Sequence, residues 1–203
     1  MPEQAGTPVV PDGLPGRDVP DDALRALAED CAQDATMFVE TIRSVATGAQ
    51  PDAALPLTLL ALAQVQLMGA RLGAMEDVVL DERYEPDPGP DAELDDLRAG
   101  LGEIFAGLDE YADVTDPVTD STLCAGSLSN DLVVIAGSLA HGHAHHVAGR
   151  IVEALWWWQF GYLADWGERA ASALRVVLAL VAHVRLDADE DLVAEAEFDA
   201  LHP

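Results

Sequence analysis

The 203-residue sequence contains no lysine, so all 10 of its basic residues are arginine. Walker-type phosphate loops, protein kinases and Schiff-base enzymes each need a lysine side chain, and its absence excludes all three classes. The chain also carries 37 acidic residues, which gives it a formal charge of -27. Because nucleic-acid affinity comes largely from neutralising phosphates, no direct binding to DNA or RNA is expected.

Cysteine is scarce as well: Cys31 and Cys124 lie far apart, and no C-x-x-C motif occurs. We expect both to be reduced core residues. The start of the chain lacks a basic region followed by an apolar core, so a secretory signal is not expected. Neither of the two most apolar stretches, 55–72 and 170–184, is expected to span a membrane. Both are interrupted by charged or polar side chains, and the second is also short. These features together favour a cytoplasmic protein that does not associate with a membrane.

Helical periodicity dominates the rest of the sequence. No run combines period-two alternation with flanking turn residues, so no strand is expected. The fold class predicted is all-α, a single-domain helical bundle of about six helices. The expected organisation is a disordered N-terminal tail (1–20), a helical domain (21–186) with a surface linker (76–90), and an acidic C-terminal tail (187–203).

The predicted helices follow from apolar residues at steps of three and four and from glycine or proline at their ends. The first carries an apolar stripe and stops at Gly48, and its stripe is Leu24, Leu27, Cys31, Ala35, Phe38, Ile42 and Val45. The other five are expected at about 52–72, 94–111, 129–147, 150–166 and 168–184, with Ala148-Gly149 breaking the chain between the fourth and fifth.

The segment 141–166 holds four of the six histidines and all four tryptophans. Residues on a helix rotate by about 100° each, so His141 and His145 share one face while His143 and His146 share another. The four histidines therefore cannot bind one ion. A two-histidine face could open a metal site if another element supplied a ligand, for which the candidates are Glu153, Asp165, Glu168 and His183. The alternative is a network in which the histidines hydrogen-bond acids, indoles or backbone.

Three consecutive tryptophans, 156–158, sweep roughly 200° of a helix and cannot all enter one interface. Trp158 is predicted to be buried, since it continues a stripe formed by Ile151, Leu155, Tyr162 and Trp166. We expect Trp156 or Trp157 to be partly exposed beside a histidine. A partly exposed tryptophan is typical of interaction hot spots.

The fourth and fifth predicted helices also have a tetratricopeptide-like spacing of small and aromatic residues, carried by Gly142, Ala154, Trp158 and Gly161. No second copy of this pattern is visible. The sequence therefore predicts one tetratricopeptide-like helical hairpin near 131–166, with a groove for a peptide, and no repeat array.

The same segment resembles an actinobacterial family known as domain of unknown function 5063. The resemblance rests chiefly on Glu153-Ala154-Leu155-Trp156-Trp157-Trp158-Gln159-Phe160, supported by His141-Gly142, Ala148-Gly149-Arg150, Asp81-Glu82-Arg83-Tyr84-Glu85-Pro86 and Val181-Ala182-His183-Val184-Arg185-Leu186. It extends over roughly residues 30–186. It implies a cytoplasmic actinobacterial protein and supplies no activity.

Two hypotheses for function follow. The first is a non-enzymatic protein-interaction or regulatory module, with no cofactor, that binds a protein partner in a groove of the helix four and five hairpin. The candidate binding residues are His141, His145, Arg150, Glu153, Trp156, Trp157, Tyr162 and Trp166. The second hypothesis is a metal-dependent or small-ligand enzyme built on His141 and His145. The sequence specifies no oligomeric state.

Overall fold

The computed structural model describes residues 22–80 and 94–201, with side chains described up to residue 186. The predicted N-terminal tail and most of the predicted linker lie outside these residues. Within them the elements are, in order, α1 (Asp22–Ala46), a 3-10 turn (Pro51–Ala53), α2 (Ala54–Gly73), α3 (Asp95–Ile104), β1 (Glu110–Asp116), β2 (Asp120–Ser127), α4 (Leu128–Val147), α5 (Ile151–Gly161), a π turn (Tyr162–Trp166) and α6 (Gly167–Leu201).

The helical class is confirmed, but the predicted count of about six is one too high. Gly161, Tyr162 and Gly167 all have right-handed helical backbone angles. As a result α5, the π turn and α6 form one continuous helix, and the described residues contain five separate helices. The backbone of α6 continues as helix to Leu201, beyond the predicted domain boundary at 186.

The core lies where α1, α2, α4 and the continuous α5–α6 helix meet. The predicted stripe of α1 is confirmed, because its central members are buried. Residues from each of the other helices are fully buried against it, including Leu62, Met68, Leu132, Leu139, Leu155, Trp158, Trp166 and Val177. At about 25 cal/mol per Å² of apolar surface, this burial is the main source of stability.

The helix α2 is held between α1 and α6. Its region Pro51–Gly73 is long and apolar enough to cross a membrane by length and composition alone, with a mean hydropathy of 1.6. In this fold one face of α2 is core, and its polar residues bind neighbours. Arg71 donates to Asp34 of α1 (Nη2 to Oδ2, 2.7 Å), and Gln66 donates to the carbonyl of Gly167 (2.7 Å). These contacts and the buried face join α2 to the neighbouring helices of the bundle.

The prediction that no strand occurs is wrong, because residues 110–127 form an antiparallel hairpin. Its turn is built by Asp116, whose carboxylate accepts from the amides of Val118 and Thr119 (2.7 and 3.0 Å). An aspartate that binds the amides two and three residues ahead is a strong turn former. No residue of either strand is fully buried, and β2 is mostly exposed. The strands therefore lack the regular alternation of apolar and polar residues that marks a half-buried strand.

The hairpin also corrects two neighbouring predictions. Helix three ends at Ile104 and not near Tyr111, because Gly107 adopts a φ of +81° and turns the chain into β1. Cys124 lies on β2 and is exposed, whereas Cys31 is buried as predicted. Burial raises the pKa of the Cys31 thiol to about 12.

Candidate functional site

Gly149 closes the hairpin between α4 and α5. It has a φ of +76°, a conformation that glycine adopts without a steric cost. Its amide donates to the carbonyl of His146 (2.9 Å), and the amide of Arg150 donates to the carbonyl of His145 (3.0 Å). This bonding pattern satisfies the last carbonyls of α4. The predicted break is confirmed, and it places the histidines beside the first turn of α5.

The four histidines of α4 form two separate pairs, as the helical geometry predicts. The rings of His141 and His145 lie 5.2 Å apart, and those of His143 and His146 lie 6.2 Å apart. His145 is buried, with 2% of its surface exposed. Burial, together with the neighbouring His146 ring, lowers the pKa of His143 below its ordinary value.

The His141–His145 pair is tied to α5 through Glu153. The Nδ1 atom of His145 lies 2.8 Å from Glu153 Oε2, and Arg150 Nη1 lies 3.1 Å from the same oxygen. Because an ionised carboxylate only accepts hydrogen bonds, His145 donates through Nδ1. The structure thus favours the hydrogen-bonded network over the metal site for His145, and it pairs Arg150 with Glu153.

A row of aromatic rings covers the outer side of α5. Trp157 meets His141 edge to face at 4.3 Å, and Trp156 meets Trp157 in the same way at 5.0 Å. Trp156 is also stacked parallel to Phe160 at 5.1 Å. Both tryptophans are partly exposed, and Phe160 is 52% exposed. The prediction of a partly exposed tryptophan beside a histidine is confirmed.

Trp158 points the opposite way, into the core, as predicted. It is fully buried, and its indole Nε1 donates to the carbonyl of Leu139 (3.1 Å). Gly142 makes this approach feasible, because a Cβ at that position would lie 2.3 Å from the indole nitrogen. The contact locks α5 onto α4 at close range.

Tyr162 and Trp166, two of the candidate binding residues, do not join the groove predicted from His141, His145, Arg150 and Trp157. The Tyr162 ring packs over α2, where a Cβ at Gly69 would lie 2.3 Å from it, and Trp166 is fully buried. The two rings contact each other at 5.0 Å. The structure therefore brings the other candidates together on the α4–α5 hairpin and places this pair between α2 and α6.

A second site, which sequence reasoning missed, lies between the β hairpin and the π turn. It is a cavity of about 210 Å³ whose lining includes Tyr111, Asp131, Asp165, Glu168 and Arg169. Asp131 is only 4% exposed. Its oxygens accept from the Tyr111 hydroxyl (2.5 Å) and from Arg169 Nη1 (2.9 Å). A buried aspartate bonded on both oxygens gives this cavity a fixed polar floor.

Electrostatics at this cavity follow from that arrangement. Burial and the hydrogen bond to Asp131 raise the pKa of Tyr111 above its ordinary value of 10.0. Arg169 also donates from Nε to Asp165 (2.7 Å), and this bond raises the pKa of the guanidinium. The sequence offered one signal for the site, an aspartate in the first turn of a helix with an apolar stripe, but the hairpin that covers it was not recognised.

No group of three or more His, Cys, Asp or Glu side chains that could hold a metal ion occurs among the described residues. Of the carboxylates considered as extra ligands for His141 and His145, Glu153 is engaged by His145 and Arg150, while Asp165 and Glu168 line the second cavity. In the part of the chain that the structure describes, neither these carboxylates nor His183 joins His141 and His145 in a group that could hold a metal ion.

A family model described as a domain of unknown function, DUF5063, matches residues 22–183. No curated protein matches the chain. Among solved structures, the crystal structure of protein BF1032 from Bacteroides fragilis is similar, with a TM-score of 0.57 and 16% sequence identity. The match covers 79% of this chain and 92% of that chain. At this identity the likeness shows a shared fold and nothing about activity.

Proposed function

Since the chain belongs to the DUF5063 family, whose description gives no function, we propose from its own geometry that it is a non-enzymatic protein-interaction module. Its binding surface is the α5 aromatic face, defined here as Trp156, Trp157, Phe160 and Leu163. Its partner is a basic, partly apolar segment of another protein. The observation that carries the proposal is the unbroken ring row from His141 to the half-exposed Phe160.

The α5 aromatic face exposes large apolar side chains of the kind that are usually buried in a protein core. Phe160 is 52% exposed and stacks on the partly exposed Trp156. Leu163, three residues further along the same continuous helix, is 63% exposed. Contiguous apolar patches of this kind mark interaction sites more often than scattered apolar residues do. Tryptophan is also the residue most enriched at positions that dominate binding energy.

The face is held rigidly from below. Trp158 anchors α5 to Leu139, and Glu153 joins His145 to Arg150 at the start of the same helix. A surface that is already ordered loses little conformational entropy when a partner binds. The α4–α5 hairpin therefore supplies the preorganised support that an aromatic binding face needs.

The net charge of the chain indicates which kind of partner the face would bind. The chain has a formal charge of -27, so it repels acidic proteins and attracts basic ones over several ångströms. Exposed indole and phenyl faces also attract arginine and lysine through cation–π contacts of about 0.5–1 kcal/mol each. A segment that alternates basic and aliphatic residues satisfies both the charge and the apolar surface.

A cytoplasmic location and an actinobacterial source belong to the same proposal and are supported by composition and by the resemblance of the tryptophan run.

The test is a fluorescence-polarisation titration with a labelled peptide of alternating arginine and leucine residues. Phe160→Ala and Trp156→Ala are the test variants, and Leu60→Ala, an exposed apolar residue of α2 (67% exposed), is the matched control. Loss of a hot-spot side chain typically raises Kd by about tenfold or more. We expect that loss in both test variants and none in the control.

Two further peptides separate this surface from general attraction to an acidic protein. An alternating arginine–serine peptide should bind at least several-fold more weakly than the arginine–leucine peptide, and a glutamate–leucine peptide should not bind. Equal affinity of the two arginine peptides, or an equal effect of Leu60→Ala and Phe160→Ala, would show that the α5 aromatic face is not the binding surface.

A further inference from the structure

We infer that the cavity between the β hairpin and the π turn is a binding site for a guanidinium group, carried either by a small free molecule or by an arginine side chain. The inference is independent of the α5 aromatic face. It rests on the shape of the cavity, on its excess of negative charge and on its aromatic wall.

The cavity is large enough for such a group and for part of its aliphatic stem. Its volume is about 210 Å³, and it is bounded by both strands of the hairpin and by the helical residues 164–172. The π turn shapes its helical wall: the amide of Gly167 donates to the carbonyl of Tyr162, one residue further back than in an α-helix. Such turns are frequent at functional sites because they change the direction of neighbouring side chains.

The charges around the cavity do not cancel. Arg169 bridges Asp131 and Asp165, and Arg175 pairs with Asp113 at 3.0 Å. Glu168 also lines the cavity, and it forms no ion pair within the described residues. Four carboxylates thus face two guanidinium groups. The cavity therefore attracts a cation, and Glu168 is the carboxylate available to pair with it.

The wall of the cavity favours guanidinium over ammonium. Tyr111 lies across Gly126 of the opposite strand, where a Cβ would be 2.3 Å from the phenol ring, so glycine is what allows the ring to lie there. Val114, Ala125 and Ala164 add apolar surface. A guanidinium is planar, weakly hydrated and able to stack on an aromatic ring while it pairs with a carboxylate, whereas an ammonium is compact and strongly hydrated.

The experiment compares n-butylguanidinium with n-butylammonium, which have the same charge and the same stem. Each is titrated into the full chain at constant ionic strength and followed by ¹H–¹⁵N correlation spectra. We expect n-butylguanidinium to bind about fivefold or more tightly than n-butylammonium, because only the former pairs bidentately and stacks. The shifted amides should be those around Gly126 and Ser172.

Variants localise the effect. Glu168→Gln should weaken n-butylguanidinium binding about fivefold or more, and Ala164→Leu should block the cavity. Glu103→Gln on α3, which removes an exposed carboxylate elsewhere, should leave the affinity unchanged. Equal affinity for the two cations, or equal effects of Glu168→Gln and Glu103→Gln, would overturn the proposal.

A third probe, N-acetyl-arginine amide, distinguishes the two sources of the group. Binding as tight as that of n-butylguanidinium identifies an arginine side chain of a protein as the ligand. Binding of n-butylguanidinium alone identifies a small free molecule, because the backbone amides are then excluded from the cavity.

Discussion

Glu153 is the residue that joins the polar contacts of the α4–α5 hairpin. One of its oxygens contacts both His145 and Arg150. His145 is almost inaccessible to water, so water cannot replace its hydrogen bond to Glu153. Hydrogen bonds to charged groups contribute about 1.5–3 kcal/mol, more than neutral ones. The hairpin therefore depends on this carboxylate more than on an average surface charge.

We expect Glu153→Gln to lower the free energy of unfolding by about 1–3 kcal/mol, because the amide replaces a charged acceptor with a neutral one. Urea unfolding followed by circular dichroism measures the change. Glu103→Gln, which removes an exposed carboxylate of α3, should change stability by less than about 0.5 kcal/mol. Similar values for the two variants would mean that the contact with His145 contributes nothing.

Tyr111 makes the stability of the protein depend on pH in the alkaline range. Its pKa is raised by burial and by the bond to Asp131, so the folded state holds the phenolic proton more tightly than the unfolded state does. Its contribution to stability is therefore fully present below the unfolded pKa of about 10 and is lost as the pH rises through the folded pKa. We expect stability to fall more steeply between pH 9 and 11 in the native chain than in Tyr111→Phe. Parallel pH profiles from urea unfolding would contradict this.

At the scale of elements, the hairpin of α4 and α5 is defined by how closely the two helices approach. A Cβ at Gly142 would lie 2.3 Å from the buried Trp158 indole. Gly142→Ala should thus separate the helices and destabilise the fold by about 1–3 kcal/mol, the usual cost of overpacking. Gly102→Ala on α3 is the matched control, since nothing lies within 4 Å of its added Cβ. The control should be neutral or stabilising by up to about 1 kcal/mol, and thermal unfolding distinguishes the two.

The π turn gives a second prediction about elements. It accommodates one residue more than an α turn, so deleting Ala164 should restore a regular helix without rotating α6. Deleting Ala171, which is also exposed but lies in regular α-helix, should rotate all later residues by about 100° and remove Ala173 and Val177 from the core. We expect the first deletion to keep a cooperative thermal transition and the second to lose it. Loss of cooperativity in both would show that the π turn is needed for folding.

Which elements could be predicted from sequence depends on how much surface they bury. The stripe of α1, the break at Gly149 and the burial of Trp158 were predictable, because each follows from helical periodicity or from a glycine stop. The β hairpin was not, because its strands contain no fully buried residue and carry no regular apolar alternation. The cavity at Asp131 was missed for the same reason, since the hairpin forms one of its walls. The π turn could not be predicted either, because the helical periodicity of the sequence continues through it.

At the scale of the whole molecule, the formal charge of -27 opposes folding, since a compact chain brings the carboxylates together. Some of the ion pairs among the described residues are sheltered from solvent: Asp34 and Asp131 are largely buried where they meet Arg71 and Arg169. Salt screens exposed charges over a distance of about 10 Å at 0.1 M, but it acts much less on buried pairs. Added salt should thus weaken the repulsion more than it weakens these ion pairs.

We therefore expect stability to rise with ionic strength, by about 2 kcal/mol or more between 10 mM and 1 M sodium chloride, which corresponds to about 4–8 °C in Tm for a chain of this length. Thermal unfolding measures it. Caesium chloride at equal ionic strength is the control, because screening depends on charge and concentration and hardly on the identity of a monovalent cation. A Tm that falls with either salt would mean that exposed ion pairs stabilise the fold more than the excess of carboxylates destabilises it.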